Sequence, residues 1–357
     1  MFSNFKNKKV LVTGHTGFKG SWLTLWLITL KAKVIGISND TNKLSNFNAL
    51  NMKKSIKDYK IDIKDLEKLK KKVISFKPDY IFHLAAQALV KKSFDNPLDT
   101  FHSNSIGTLN ILESVRSLKK KCTIVLITSD KSYKNFELKR GYTESDILGG
   151  HDPYSASKAS AELIIQSYFH SYLKKNKNLK IGIARAGNVI GGGDWSKDRL
   201  IPDCVKSWSK NKKVILRNPL STRPWQHVLE AIGAYLLFAK KLNYNSSLNG
   251  EVFNFGPSQQ NSITVIKVIK KMKKFWQKVD WKLIKKRKKD SFYESRLLQL
   301  NCSKAKKKLN WKSVLSFNQT ISMTINWYKK FYEDKKNIKK LSLSQIKSYE
   351  KLIRNRT

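Results

Sequence analysis

A strand running straight into a glycine-spaced turn and then an apolar helix constrains this chain more than any other feature. Lys9-Val10-Leu11-Val12-Thr13 is a short, β-branched run, and Gly14-x-x-Gly17-x-x-Gly20 follows it without a gap. A helix expected over 21–30 and a second strand over 33–37 complete a strand–helix–strand unit. Glycines so placed allow a tight turn and close backbone approach to a pyrophosphate, whose charge the helix N-terminus favours. The Gly-x-x-x-x-Gly-Lys-Ser spacing of an ATP-hydrolysing loop is absent, so the pattern points to a dinucleotide.

The alternation continues. Strands are expected over 79–84, 122–127 and 180–184, with helices around 65–76 and 104–119 and another opening at Pro153-Tyr154. This order predicts an α/β protein: a Rossmann-type, doubly wound parallel sheet carrying a smaller α/β substrate-binding domain. The expected division is 1–185 for the dinucleotide part, with a return segment near 223–255, and 186–333 mainly for substrate. The Lys-rich tail over 334–357 reads as a terminal helix or as partly disordered. Gly191-Gly-Gly-Asp-Trp195 reads as a flexible loop.

A formal charge of +45 raises the question of nucleic acid. Of the 71 basic residues, 10 are Arg and 61 are Lys, spread along the chain beside abundant Asn and Ile. Base readers favour clustered Arg, so this charge reads as A/T-biased codon usage on solvated faces, with no specific nucleic-acid partner. Cys122, Cys204 and Cys302 are scattered, and the six His lack ligand spacing, so neither disulfides nor a metal is expected. Met1 leads directly towards the first strand with no room for a signal peptide, and the apolar stretch 22–30 is too short to span a bilayer. The expectation is a cytoplasmic protein with no membrane partner.

Chemistry concentrates at Thr128-Ser129-Asp130-Lys131, which ends the 122–127 strand, and at Tyr154-x-x-x-Lys158. Open α/β sheets bind ligands at the carboxyl ends of their strands. Tyr154 and Lys158, four apart on a helix, face one way, and the lysine is expected to favour the phenolate. Two bases and one acid suit a reaction with more than one proton transfer. For the cofactor ribose, Ser38 stands where an acid is usual, Asp40 follows, and Asp62 is the better-placed group for the adenine. No Arg lies near Ser38 for a 2′-phosphate, though Lys43 does, and NAD is preferred.

Gly14-x-x-Gly17-x-x-Gly20, His83-Leu-Ala-Ala-Gln87, Asn104 and Tyr154-x-x-x-Lys158 together resemble the extended short-chain dehydrogenase/reductase family over nearly the whole chain. Gly14 to Trp22, Thr128 to Tyr133, Ala184 to Trp195 and Arg223-Pro-Trp-Gln-His227 resemble its CDP-glucose 4,6-dehydratase branch. Related dTDP-glucose and GDP-mannose dehydratases carry Asp-Glu where this chain has Asp130-Lys131. The resemblance implies dehydration of a nucleotide sugar by internal hydride transfer from C4 to C6 with NAD. By the same resemblance Ser129, Asp130, Lys131, Tyr154 and Lys158 are catalytic. Gly14, Thr16, Gly17, Phe18, Gly20, Asp62, Ile63, Leu84, Ala85 and Ala86, with Tyr154 and Lys158, meet the cofactor. Gln87, Asn188, Arg199 and Arg223 meet the substrate. Homodimers formed through helices near 104–119 and 154–169 are implied too, as is deoxysugar synthesis for a surface polysaccharide.

His83 is expected to fix the loop after its strand, Trp225 and His227 either to pack the domain junction or to touch substrate, and Tyr133 to serve either core or sugar. The rival enzyme is an epimerase or another nucleotide-sugar dehydratase; an epimerase needs no acid to expel a 6-hydroxyl. The non-enzyme rival is a dinucleotide sensor or RNA-binding protein, for which Tyr154 and Lys158 have no use.

Overall fold

A computed structural model describes residues 1–39, 41–216, 218–257, 262–283 and 297–355. Six strands, β1 (Lys9–Thr13), β2 (Lys33–Ser38), β3 (Lys57–Lys60), β4 (Tyr80–His83), β5 (Cys122–Ser129) and β6 (Leu179–Ala186), join Val252–Phe255 in one sheet. Its order is Val252–Phe255, β6, β5, β4, β1, β2, β3, and every pairing is parallel. Strand residues alternate between two cores, as a period of two requires. Val10, Val12, Val125 and Ile127 face one, with α1 (Phe18–Thr29) and the Val228–Tyr244 helix. Leu11, Ile35, Ile124 and Leu126 face the other, with Leu66–Phe76, Gly107–Arg116 and Pro153–Tyr168. The expected doubly wound parallel sheet is present.

Strand order reverses between β1 and β4. Connections leave the two strands in opposite directions there, so a crevice opens at their carboxyl ends, against the glycine turn and Leu84-Ala85-Ala86. β3 is absent from the sequence reading, because Lys57-Asp-Tyr-Lys60 is a polar edge strand without apolar alternation.

Beyond β6, the described residues form three small ribbons: Val189–Ile190 with Gln226–His227, Thr222–Pro224 with Ser262–Thr264, and Val214–Leu216 with Trp281–Leu283. The loop expected to be flexible is instead a buried clasp. Gly191 to Trp195 are all buried, Trp22 Nε1 donates to Gly192 O at 2.8 Å, and Asp194 N donates to the Tyr328 hydroxyl at 3.1 Å. A Cβ on Gly192 would lie 2.0 Å from Trp327 Cγ, so these glycines serve close approach rather than mobility.

The lysine-rich end is a helix, Ile338–Arg354, with Ile338, Ile346 and Tyr349 buried. Tyr349 donates to Glu230 Oε2 at 2.8 Å, and Trp26 Nε1 donates to Glu350 Oε1 at 2.7 Å. Disorder, the other alternative open for this segment, does not apply to its described residues. No helix among the described residues is long and apolar enough to cross a membrane.

Candidate active site

The glycine turn is built for close packing of backbone on backbone. Gly14 has φ +70° and a Cβ there would lie 2.7 Å from Ala85 N, while one on Gly20 would lie 2.1 Å from Gly14 O. Gly17 is the N-cap of α1 and supplies no side-chain cap, so the first turn of a twelve-residue helix faces the crevice without one. Thr16 Oγ1 and Ser38 Oγ lie 2.7 Å apart and tie the turn to the end of β2. Phe18 begins α1. On the far wall, Asn110 Nδ2 donates to Ile63 O and Lys64 O, both at 3.0 Å, which sets the loop carrying Asp62 and Ile63. The close backbone packing that these glycines permit, beside a helix N-terminus without a side-chain cap, fits a dinucleotide. Asp40, the alternative ribose ligand, lies outside the described residues.

His83 does hold its loop. Ala85 N donates to Thr13 Oγ1 at 3.2 Å, and Thr13 Oγ1 lies 2.8 Å from His83 Nδ1. Thr108 donates its hydroxyl to Asn104 O, leaving its oxygen to accept from His83 Nε2 at 3.4 Å. Burial, helped by Lys158, pushes the imidazole down to about 3, so it stays neutral and structural.

Across the crevice, β5 ends at Ser129, and Asp130 and Lys131 follow in a short 3-10 turn. Ser129 Oγ donates to Asp130 Oδ1 at 2.9 Å and accepts from Lys131 N at 3.2 Å, and the same hydroxyl favours ionisation of the nearby Tyr154 phenol. Tyr154 is oriented by its helix start: Asp152 caps it by accepting from Ser155 N at 2.9 Å, and Pro153 occupies the first turn. Ser129, Asp130, Tyr154 and Lys158 are buried, whereas Lys131 is partly exposed. Burial raises the Asp130 carboxyl, opposed by Lys131, Ser129 and Lys19, so this side chain is biased towards its protonated form.

One expectation is reversed. Helical spacing leads to the expectation that Lys158 favours the Tyr154 phenolate, yet burial raises the phenol, with Ser129 and Arg199 opposing. Lys158 is itself pushed down to about 7 by burial and by Lys19, against Glu162. Sequestering both groups from water penalises both charged forms, which spacing along a helix cannot reveal. Because folding depresses Lys158, its burden on stability is full below pH 7 and fades as pH rises towards 10.5.

A buried network absent from the sequence reading carries this end of β5. Arg185, opposite Thr128 in the β5–β6 register, donates through Nε to Glu162 Oε1 at 2.8 Å and Oε2 at 2.9 Å. Thr128 donates to the same Glu162 Oε1 at 2.7 Å. The guanidinium lies 4.5 Å from the centre of the Tyr133 ring, and Tyr133 donates to Asn254 Oδ1 at 2.8 Å. Tyr133 is therefore a core residue. Glu162 stands four residues after Lys158 on one helix face, so the pair that braces β5 also faces the lysine.

The substrate candidates divide. Asn188 is exposed in the loop after β6, beside Gly187, where a Cβ would lie 3.0 Å from Asp130 Oδ2. Arg199 donates to Asp194 Oδ2 at 3.1 Å and to Ala88 O at 3.2 Å, bridging the clasp and the loop after β4. Gln87 turns inward: its Nε2 donates to Leu89 O and Thr100 Oγ1, and its Oε1 accepts from Leu89 N. That amide shapes its own loop, with both N–H groups engaged, which does not suit the expected sugar contact. Arg223 sits on the Thr222–Pro224 ribbon and donates to Thr222 O at 2.7 Å. Trp225 and His227 are buried, Trp225 bonding Ile263 O and His227 accepting from Leu229 N, so both pack the junction. No group of three or more His, Cys, Asp or Glu able to hold a metal occurs among the described residues.

The family model for GDP-mannose 4,6 dehydratase matches residues 11–324. The chain belongs to that family. With it the chain belongs to the extended short-chain dehydrogenase/reductases. It is 40% identical over 331 residues to the CDP-glucose 4,6-dehydratase of Salmonella typhimurium, covering 91% of each chain. Among solved structures it is similar to the epimerase Mth375 of Methanothermobacter thermautotrophicus, with TM-score 0.78 and 25% identity over 94% of this chain and 96% of that one. The dTDP-glucose 4,6-dehydratase of Bacillus anthracis, solved with NAD, gives TM-score 0.74 and 25% identity over 93% and 99%. Dehydratases and epimerases of this family thus share one scaffold, so distinguishing them rests on the groups around the sugar.

Proposed function

We propose that this chain is an NAD-dependent CDP-glucose 4,6-dehydratase, a hydro-lyase that converts CDP-glucose to CDP-4-dehydro-6-deoxy-glucose and water. The observation that carries this reading is the buried Asp130, bonded by Ser129 at 2.9 Å and followed by Lys131 just past the end of β5, where burial favours the protonated carboxyl. An epimerase needs no such acid. The 40% identity to a CDP-glucose enzyme supports the choice of base.

Bound NAD supplies a reversible hydride acceptor, so that oxidation at C4 and reduction at C6 cancel. The side chains do the rest. Tyr154 takes the proton of the 4-hydroxyl, which Ser129 orients. The resulting 4-keto group acidifies C5, whose proton passes to Lys131 in its neutral amine form and returns to C5 once C6 has been reduced. Asp130 gives its proton to the 6-hydroxyl, which departs as water. Lys158 exchanges charge with Tyr154 and holds the cofactor ribose. Gly14, Thr16, Gly17, Phe18 and Gly20 take the diphosphate, Asp62 and Ile63 the adenosine, and Leu84 to Ala86 the opposite wall. Asn188, Arg199 and Arg223 meet the sugar diphosphate through charge-assisted bonds.

In this reading 1–185 plus the returning strand Val252–Phe255 hold the cofactor, and 186–333 mainly shape the sugar pocket. Three unpaired cysteines suit a reducing cytoplasm. Copies are expected to pair through Leu98, Ile106 and Leu163, which stand 67%, 41% and 57% exposed on neighbouring helices. Light scattering giving twice the 41.2 kDa chain mass is the expected result, and a single-chain mass at high concentration removes the pairing. The function itself is tested by incubating the protein and NAD with CDP-glucose, dTDP-glucose, UDP-glucose and GDP-mannose. Preferential 4-keto product from CDP-glucose is expected. Product from another nucleotide, or 4-epimerisation without loss of water, refutes the assignment.

A further inference from the structure

Lys19 is the lone charged residue of α1, in an otherwise neutral or apolar run from Phe18 to Thr29. It stands inside the glycine turn's helix, and its side chain is partly buried. Its Nζ lies 3.4 Å from the Tyr235 hydroxyl, to which it donates, and 5.8 Å from the centre of that ring. Tyr235 belongs to the Val228–Tyr244 helix and is fully buried. From this mooring the ammonium acts on Asp130, Lys158 and Arg199. Helix packing does not explain it, because an aliphatic side chain would fill the same space without desolvating a charge.

Resting on the proposed function, we infer that Lys19, moored on Tyr235, is a positioning residue that apportions protons between Lys158 and Asp130. Lys158 is faced by Lys19 from α1, by Glu162 from its own helix and by His83 from β4. Asp130 is faced by Ser129 and Lys131 from its own segment, by Lys19 from α1, by Tyr154 from the Pro153–Tyr168 helix and by Tyr235. Lys19 is the cation common to both. It repels the proton of Lys158, so that this lysine readily becomes neutral and able to take charge from Tyr154. It also stabilises the Asp130 carboxylate that remains once the proton has gone to the departing hydroxyl. Burial pushes Lys19 itself down to about 8, with Arg199 adding to the shift and Asp130 opposing it, so it retains its charge at neutral pH.

Lysine side-chain NMR of the ligand-free protein tests this without any reaction. Groups that titrate below pH 9 stand apart from ordinary lysines, and loss of a signal in Lys158→Met assigns Lys158. Removing a neighbouring cation raises the proton affinity of what remains. Lys19→Met is therefore expected to move the Lys158 titration up by about one pH unit. Lys19→Arg, which keeps the charge, should restore most of the parent value. Tyr235→Phe, which frees the ammonium, should give a smaller shift in the same direction. With substrate, the acid limb of the kcat/KM profile should rise in Lys19→Met and return in Lys19→Arg. An unchanged Lys158 titration in both Lys19→Met and Tyr235→Phe overturns the inference. A parent protein inactive on every nucleotide sugar, but with the titration shifted, refutes the proposed function alone.

Discussion

Tyr154→Phe is expected to lower 4-keto product formation by about 10²–10⁴-fold while folding and cofactor affinity stay near the parent values. The ring remains on the first turn of the Pro153–Tyr168 helix, whose Asp152 cap does not depend on the phenol. Only the hydroxyl that meets Ser129 is removed, and with it the group that takes the 4-hydroxyl proton. Lys131→Met provides the contrast. Its side chain is partly exposed and lies beyond Asp130, so the variant should still reduce bound cofactor, seen in the near-ultraviolet, and then stall. Solvent deuterium exchange at C5 should be suppressed. Near-normal turnover by Tyr154→Phe would remove the phenol from the chemistry, and parent-rate elimination by Lys131→Met would place the C5 base elsewhere.

Arg185→Met is expected to destabilise the protein by about 3–5 kcal/mol, the cost of leaving one half of a buried ion pair uncompensated. Arg185 and Glu162 are both essentially inaccessible, and Glu162 also accepts from Thr128. Replacing both partners, as in Arg185→Met with Glu162→Leu, should recover much of the loss, since two apolar groups need no countercharge. Urea unfolding of the two variants checks this. A single variant as stable as the parent would mean that water reaches the pair. Activity is expected to fall in the double variant even where stability returns, because Glu162 also acts on Lys158 and Arg185 stacks on Tyr133 at the base of the catalytic strand.

The sheet was legible because its central strands are continuous apolar runs and its first turn is punctuated by glycines. The bounds of β1 coincide with its β-branched run Lys9 to Thr13, and helix and strand types elsewhere follow from apolar runs and their alternation. What escaped has local causes. β3 is a polar edge. Gly191 to Trp195 has the composition of a loose loop, and only the aromatic wall of Trp22, Trp327 and Tyr328, remote in sequence, makes it a buried clasp. A signal for Lys19 was present, a single charge in an apolar helix, but its direction was not. Gln87 carries a polar head suited to a sugar, and the fold turns that head into its own loop.

By itself the sequence determined the parallel α/β architecture, the crevice at the end of β1, and the residue types that gather there, because these depend on spacings of a few residues and on side-chain chemistry. Protonation was decided only by tertiary structure. Whether Tyr154 is phenol or phenolate, whether Asp130 holds its proton, and how Lys158 and Lys19 share a charge all depend on burial and on neighbours far apart in the chain. Helical spacing brings Tyr154 and Lys158 together, but the exclusion of water around them raises one and lowers the other.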